Sequence, residues 1–253
     1  MGKKVQLSRV SKKFVSVGKP TVEVFDDISI AIAAGEFVSV LGPSGSGKTT
    51  LLRIIAGLDK PTSGNVLIDG LKTKHLLSEI GMVFQAYTAF PWLTVQKNIE
   101  FGIRASKDFD EADLVKADVL MENVGLEKFK THLPHELSGG MLQRLALARS
   151  LAVEPAILLL DEPFGALDQF TREKMQDLIL SLWGKRGTTV VFVTHDIGES
   201  VYLADTVYLM SHSPGQIVGK FQVPLERPRT QKMRDSKIYT DLVSSLRHTF
   251  ENV

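Results

Sequence analysis

The stretch Gly42-Pro43-Ser44-Gly45-Ser46-Gly47-Lys48-Thr49 fits the pattern G-x-x-x-x-G-K-[ST] at every fixed position. Its glycines let the backbone curl tightly enough for successive N–H groups to point inward at phosphate oxygens, and a following helix adds the partial positive charge of its N-terminus. Lys48 supplies a mobile positive charge. Thr49 offers a hydroxyl for Mg²⁺, which in turn bridges the β- and γ-phosphates of a bound nucleotide. The expected chemistry is nucleoside triphosphate binding, with Gly42, Pro43, Ser44, Gly45, Ser46, Gly47, Lys48, Thr49 and the adjoining Thr50 as the phosphate cradle.

A phosphate loop needs a further oxygen ligand to order Mg²⁺, and the natural source is a carboxylate at the C-terminal end of a neighbouring buried strand. Ile157-Leu158-Leu159-Leu160-Asp161-Glu162 provides it. Asp161 is expected to hold the metal, while Glu162, next along the backbone, points elsewhere and polarises the attacking water. A third string, Leu137-Ser138-Gly139-Gly140-Met141-Leu142-Gln143-Arg144, puts a serine and two glycines at the start of a helix and so makes a second N-terminal anion site. One chain has one phosphate loop, so this second site calls for a second chain.

The elements that position these residues follow from hydrophobic period. Phe37-Val38-Ser39-Val40-Leu41 reads as a short buried strand before the loop, and Leu51, Leu52, Ile54, Ile55 and Leu58 recur at helical spacing after it. Residues 3–35 alternate, with Val22, Val24, Ile28, Ile30 and Ile32 on one parity, as antiparallel strands with one wet face would. Pro61-Thr62-Ser63-Gly64 marks a turn, and Val66-Leu67-Ile68 and Met82-Val83-Phe84 read as strands. The region 87–150 is mostly helical, including 112–124 and 141–151. Beyond it, 156–160 and 188–194 are continuous apolar runs of the kind buried on both faces of a parallel sheet, joined by a helix around Met175, Leu178, Ile179 and Leu182. One nucleotide-binding domain with an inserted helical subdomain is expected.

Composition bounds the rest. Thirty basic against twenty-nine acidic residues give a net charge of +1, so nothing global favours nucleic acid or an anionic membrane surface. The absence of cysteine excludes disulfides, thiol catalysis and thiolate metal sites. The longest apolar runs fall far short of the roughly 18 residues that cross a bilayer, and the residues after Met1 form no secretory h-region. A cytoplasmic location is the expectation. His75, His132 and His135 have no ligand-like spacing and read as ordinary surface or loop residues.

In their order along the chain these strings resemble the ATP-binding subunits of ABC transporters, and the resemblance covers nearly the whole sequence. Leu137 to Arg144 is similar to the family's signature motif, which closes over the ATP held by a second subunit in a head-to-tail dimer. Gln85 matches the glutamine that touches the Mg²⁺ and water region and couples it to the helical subdomain. Gly165-Ala166-Leu167-Asp168 resembles the loop that runs along the dimer interface, His195 matches the histidine that contacts the γ-phosphate, and Phe14 sits where an aromatic stacks on adenine. Three positions depart from the pattern: Phe14 stands for the commoner tyrosine, Met141 for a glutamine and Gly165 for a serine.

The resemblance implies an α/β P-loop NTPase fold, with a RecA-like parallel core sheet, an N-terminal antiparallel β subdomain and an inserted helical subdomain. It divides residues 1–253 into an ATP-binding core with C-terminal tail (1–86 and 152–253) and a helical subdomain (87–151). It implies an ATPase with ATP and Mg²⁺ as cofactors. Glu162, His195, Gln85 and Lys48 are its catalytic residues, and Thr49, Gln85 and Asp161 lie at the metal. Phe14 and the cradle residues bind nucleotide, as do Ser138, Gly139, Gly140 and Asp168 across the dimer. Gln85-Ala86-Tyr87-Thr88-Ala89-Phe90-Pro91-Trp92-Leu93-Thr94-Val95, Pro163-Phe164 before the interface loop and Ser211-His212-Ser213-Pro214-Gly215 are similar to importer subunits for nitrate, sulfonates, taurine, bicarbonate and thiamine precursors.

The implied partners are a second ATPase subunit, an integral-membrane permease and, indirectly, a substrate-binding protein, with the chain peripheral on the cytoplasmic face of the inner membrane and no nucleic acid bound. Phe90 and Trp92 either anchor a permease helix in a groove or fill the core of the helical subdomain. The roughly 40 residues from Ser211 onward are too few for a separate regulatory domain, and they either dock on the core or stay mobile. The alternative function is an ABC-type ATPase of export, lipid transport or a non-transport role.

Overall fold

A strand with no wet face must be apolar on both, and Phe37–Leu41 is such a strand, β3, buried along its whole length. The computed structural model describes residues 1–15, 18, 20–73, 77–86, 88–105 and 109–251; His75 and Tyr87 lie outside them. In this structure β7 (Ile157–Asp161), β8 (Thr189–Thr194) and β9 (Thr206–Met210) are buried end to end like β3. With β6 (Ile80–Val83) and β10 (Ile217–Gln222) they form a six-stranded sheet in the order β10-β9-β3-β8-β7-β6. Every neighbouring pair is parallel except β10 and β9 at one edge. This is the core sheet of a P-loop NTPase fold.

Alternate residues of each strand serve opposite faces. Leu158, Leu160, Val190 and Phe192 join the larger apolar cluster, whose other wall is helical. Ile157, Leu159, Val191 and Val193 join a second cluster with α1 (Lys48–Ile55) and the N-terminal strands. Those strands, β1 (Val5–Phe14), β2 (Val22–Ile32), β4 (Ser63–Ile68) and β5 (Leu71–Lys72), make an antiparallel sheet in the order β2-β1-β4-β5.

Two local expectations are corrected. Ile28, Ile30 and Ile32 are buried as the parity requires, but Val22 is 57% exposed and Phe25 takes the core position upstream. The cause is an extra residue in β2: Val10 and Lys12 face Ile28 and Phe25, and Asp27 has φ 50°. A second extra residue lies between Phe25 and Glu23, and Val22 is the exposed first residue of the strand; the bulge at Asp27 moves Phe25 onto the core face. Ser11 holds it, donating its hydroxyl to Asp26 Oδ1 at 2.6 Å and accepting the Asp27 N–H at 3.1 Å. Leu58 does not continue α1 either; Gly57, at φ 74°, ends the helix, and Leu58 is exposed.

Between β6 and β7 run α2 (Val95–Arg104), a 3₁₀ turn at Glu111–Leu114 leading into α3 (Val115–Asn123), and α4 (Gly139–Ala152). The helix joining β7 to β8 is α5 (Gln169–Arg186), with Met175 and Ile179 buried. The tail docks on the core: in α7 (Lys237–Glu251) Leu246 is fully buried, and Tyr239 donates its hydroxyl to Gly198 O of α6 (Ile197–Leu203) at 3.1 Å. Arg229 lies buried at the other end of α6 and donates to the carbonyls of Val201, Tyr202 and Ala204. Among the described residues no helix is long and apolar enough to cross a membrane.

Candidate active site

Four parallel strands, β3, β8, β7 and β6, lie side by side, and the residues singled out for chemistry leave their C-terminal ends, where such sheets place their crevices. The Gly-rich loop follows β3 and opens α1 at Lys48. Gly47 caps that helix at φ 96°, and a Cβ there would stand 2.7 Å from Val24 Cγ1 and 2.9 Å from Phe25 Cδ1. No other residue fits. Lys48 is 5% exposed and its Nζ donates to the carbonyls of Gly42 and Pro43, each at 2.8 Å. Burial lowers its pKa, with Glu162 and Asp161 acting in the opposite direction. An open pocket of about 300 Å³ lies here, lined by Val24, Ser44, Gly45, Gly47, Lys48, Thr49, Thr50, Gln85 and Glu162.

Asp161 ends β7 and is 1% exposed; the Thr49 hydroxyl donates to its Oδ1 at 3.0 Å. Burial raises its pKa, opposed by the Thr49 bond. A buried carboxyl and a hydroxyl at one point form a pair of hard oxygen donors that suits Mg²⁺ better than a softer ion. Glu162 turns away from Asp161 because its backbone is left-handed, with φ 45°. Its carboxylate receives Gln85 Nε2 at 3.4 Å, from the segment after β6, and lies 3.2 Å from Nδ1 of His195, which follows β8. Gln85, Glu162 and His195 thus meet although they come from three strands.

Other predicted residues stand outside this pocket. Ser138 caps α4, its Oγ accepting the Met141 N–H at 3.3 Å, with Gly139 and Gly140 as the first helical residues. Asp168 caps α5, and the Thr171 N–H bond holds its carboxyl below the usual range. Phe14, at the end of β1, is 46% exposed with Lys12 Nζ 4.6 Å from its ring centre. Trp92 is 72% exposed, whereas Phe90 is half-buried, 4.6 Å from Phe101 and with Arg149 4.9 Å over its face. His132 is half-buried and packs edge-on against Phe129, so it is a loop residue but not a surface one; His135 is exposed.

A match to the ABC transporter family spans residues 25–165. The chain belongs to the ABC transporter family. It is 43% identical to the aliphatic sulfonates import ATP-binding protein SsuB of Bacillus thuringiensis subsp. konkukian, over 98% of this chain and 96% of that one. It is 44% identical to the nitrate import ATP-binding protein NrtD of Synechocystis sp., over 92% and 91% of the two chains. The dimeric post-hydrolysis structure of the ATP-binding cassette MJ0796 bound to ADP and Pi superposes with a TM-score of 0.79 at 36% identity, covering 88% of this chain and all of that one.

As an ABC ATPase the chain shows what its departures do. Met141 packs against the helical cluster. A Cβ at Gly165 would meet only Glu162 O, at 3.7 Å, so the turn has room for the serine it lacks. Sequence reasoning missed Gln143, which is 5% exposed and joins α4 to the Glu162 loop, and Arg149, which donates to Thr88 O and Oγ1 at 2.6 and 2.8 Å. The signal that could have found the first is a polar residue on the apolar stripe of a helix, as Gln143 is beside Ala146 and Leu147.

Proposed function

We propose that this ABC ATPase is the motor subunit of an importer. Two copies associate head to tail on ATP, and their closure and reopening drive uptake through a separate integral-membrane permease. The carrying observation is that α4 begins with an exposed Ser138 and two glycines, while the phosphate pocket takes no residue from that helix start. A second nucleotide, held by a second chain, gives that N-terminus an anion to meet. The dimeric, ADP- and Pi-bound state named for the MJ0796 cassette supports this reading. The core (1–86 and 152–253) would then carry one half of each composite site, and the helical subdomain (87–151) the other.

Within a site, Lys48 exchanges its two carbonyl partners for phosphate oxygens, which suit a cation better. Thr49 and Asp161, with Gln85 near them, would hold Mg²⁺, which neutralises charge on the phosphates. Glu162 accepts a proton from the attacking water; Gln85 and His195, both on its carboxylate, fix its direction. Phe14 offers an open face for adenine, and Asp168 lies along the dimer seam. The names of the sulfonate and nitrate import relatives favour a small anion such as a sulfonate or nitrate as cargo; taurine is itself a sulfonate, and bicarbonate or a thiamine precursor rests on the sequence resemblance alone. A substrate-binding protein would act through the permease, with this chain peripheral on the cytoplasmic face of the inner membrane. Trp92, with Phe90 behind it, is the proposed permease contact.

Mixed dimers test the arrangement. Lys48→Ala and Ser138→Arg each inactivate a homodimer, but in a mixed dimer both lesions fall on one composite site and the other is intact. Activity is expected to return on mixing. Confirmed mixed dimers that stay inactive would refute the head-to-tail arrangement.

A further inference from the structure

Glu162 holds a left-handed backbone without being glycine, a strained conformation that persists only where the surroundings over-determine it. Three hydrogen bonds do so. Its N–H donates to Val193 O at 3.1 Å, and its carbonyl accepts the Gly165 N–H at 3.3 Å. The third comes from a side chain: Gln143 Nε2 donates to the same carbonyl at 3.1 Å, while Gln143 Oε1 accepts the Ala166 N–H at 3.2 Å.

One buried amide therefore clamps both ends of the turn from Glu162 to Ala166, and it projects from α4, the helix whose first residues are Gly139 and Gly140. The approach is close: a Cβ at Gly140 would lie 3.2 Å from Leu167 Cδ2 and 3.5 Å from Ala166 O. Rotation about the Glu162 backbone swings its carboxylate away from Gln85 and His195, so the clamp governs the direction of the group that receives the proton.

We infer that Gln143 is a positioning residue for hydrolysis: it holds the Glu162 carboxylate in its working direction from the signature helix of the same chain. Where the dimer is head to tail, as proposed above, α4 touches the nucleotide of one composite site at Ser138 and sets Glu162 of the other through Gln143. Each site then senses the occupancy of its twin through a single rigid helix.

Gln143→Met keeps the side chain's length and removes both bonds. Turnover by the homodimer is expected to fall about ten- to a hundredfold, the scale of a small misplacement of a catalytic group. ATP affinity, measured in a Glu162→Gln background, is expected to stay unchanged. Gln143→Ala opens room for a water that satisfies both backbone groups without fixing their direction, and gives the same split should the methionine variant fold poorly. Unchanged turnover in either folded variant, or affinity and turnover falling together, overturns the assignment.

Placement in mixed dimers separates positioning from general damage to α4. A dimer with Lys48→Ala in one chain retains one working site, whose Glu162 comes from the other chain and whose Ser138 comes from the Lys48→Ala chain. Gln143→Met is expected to lower its turnover by the same factor of about ten to a hundred beside the working Glu162 and to spare it in the Lys48→Ala chain. Equal loss from both placements overturns the assignment. A wrong head-to-tail arrangement shows separately, in the Lys48→Ala and Ser138→Arg pair, and leaves the homodimer comparison standing.

Discussion

Glu199→Gln tests the electrostatics of the region behind His195. Glu199 is 7% exposed on α6; it receives the Thr194 hydroxyl at 2.9 Å and Gln176 Nε2 at 3.4 Å, with Arg172 Nε 3.8 Å away. Burial, and after it the charge of Asp196, pushes the carboxyl from 4.5 up to about 7, against the Thr194 bond and the charges of Arg172 and His195. A raised folded-state pKa means that the folded chain binds more protons than the unfolded chain between these two values. Stability is therefore highest below the lower value and falls as pH rises through the upper one. At about 1.4 kcal/mol per unit the full loss is roughly 3 kcal/mol. The glutamine variant cannot ionise and should not show this loss.

The assay is urea unfolding of both proteins at intervals from about pH 5 to about pH 8, comparing the two curves of unfolding free energy. Other titrating groups are shared, so the difference between the curves isolates Glu199. The wild-type curve should descend relative to the variant by about 2.5 kcal/mol across the range, the rest of the loss lying below pH 5. Parallel curves would show that the Glu199 carboxyl titrates in the ordinary range and that burial does not control it.

Phe14→Ala should weaken ATP binding by about 1–3 kcal/mol with the fold intact, and Phe14→Tyr should leave it unchanged, as read by nucleotide titration. Unaltered affinity in the alanine variant would remove Phe14 from the site. The exposed Trp92 and half-buried Phe90 should separate: Trp92→Ala should change the unfolding free energy by less than about 0.5 kcal/mol yet weaken recovery with the permease in a pull-down. Phe90→Ala, which also loses Arg149 and Phe101, should cost about 1 kcal/mol or more of stability. Normal recovery of Trp92→Ala would refute the proposal that Trp92 is the permease contact.

The strands β3, β7 and β8 could be read in the sequence because a short, continuous apolar run suits little besides a strand buried on both faces, and the loop after β3 because its residue types are dictated by phosphate. Asp27 could not: a bulge is made by one residue's backbone angle, which composition does not encode. Nor could the bearing of Glu162, whose adjacency to Asp161 is visible while its left-handed backbone and Gln143 clamp depend on residues folded in from α4. The tail was readable in part. Tyr239, Leu242, Val243, Leu246 and Phe250 repeat at helical spacing, but nothing local says that α6 is their partner, and Arg229 looks like any surface arginine until it is found beneath three carbonyls.

That arginine has a mechanical consequence. A seven-residue helix is too short to persist alone, yet α6 is fastened at both ends: Asp196 Oδ1 takes the Glu199 N–H at its start, and Arg229 ties down its last carbonyls. Such a helix cannot absorb a displacement of His195 by unwinding, so it carries the displacement whole into the segment that grips it. If the proposed motor cycle displaces His195, a fluorescent or spin label on an outward position of α7 would report that displacement without touching nucleotide, and the C-terminal helix would serve as a reporter rather than an appendage.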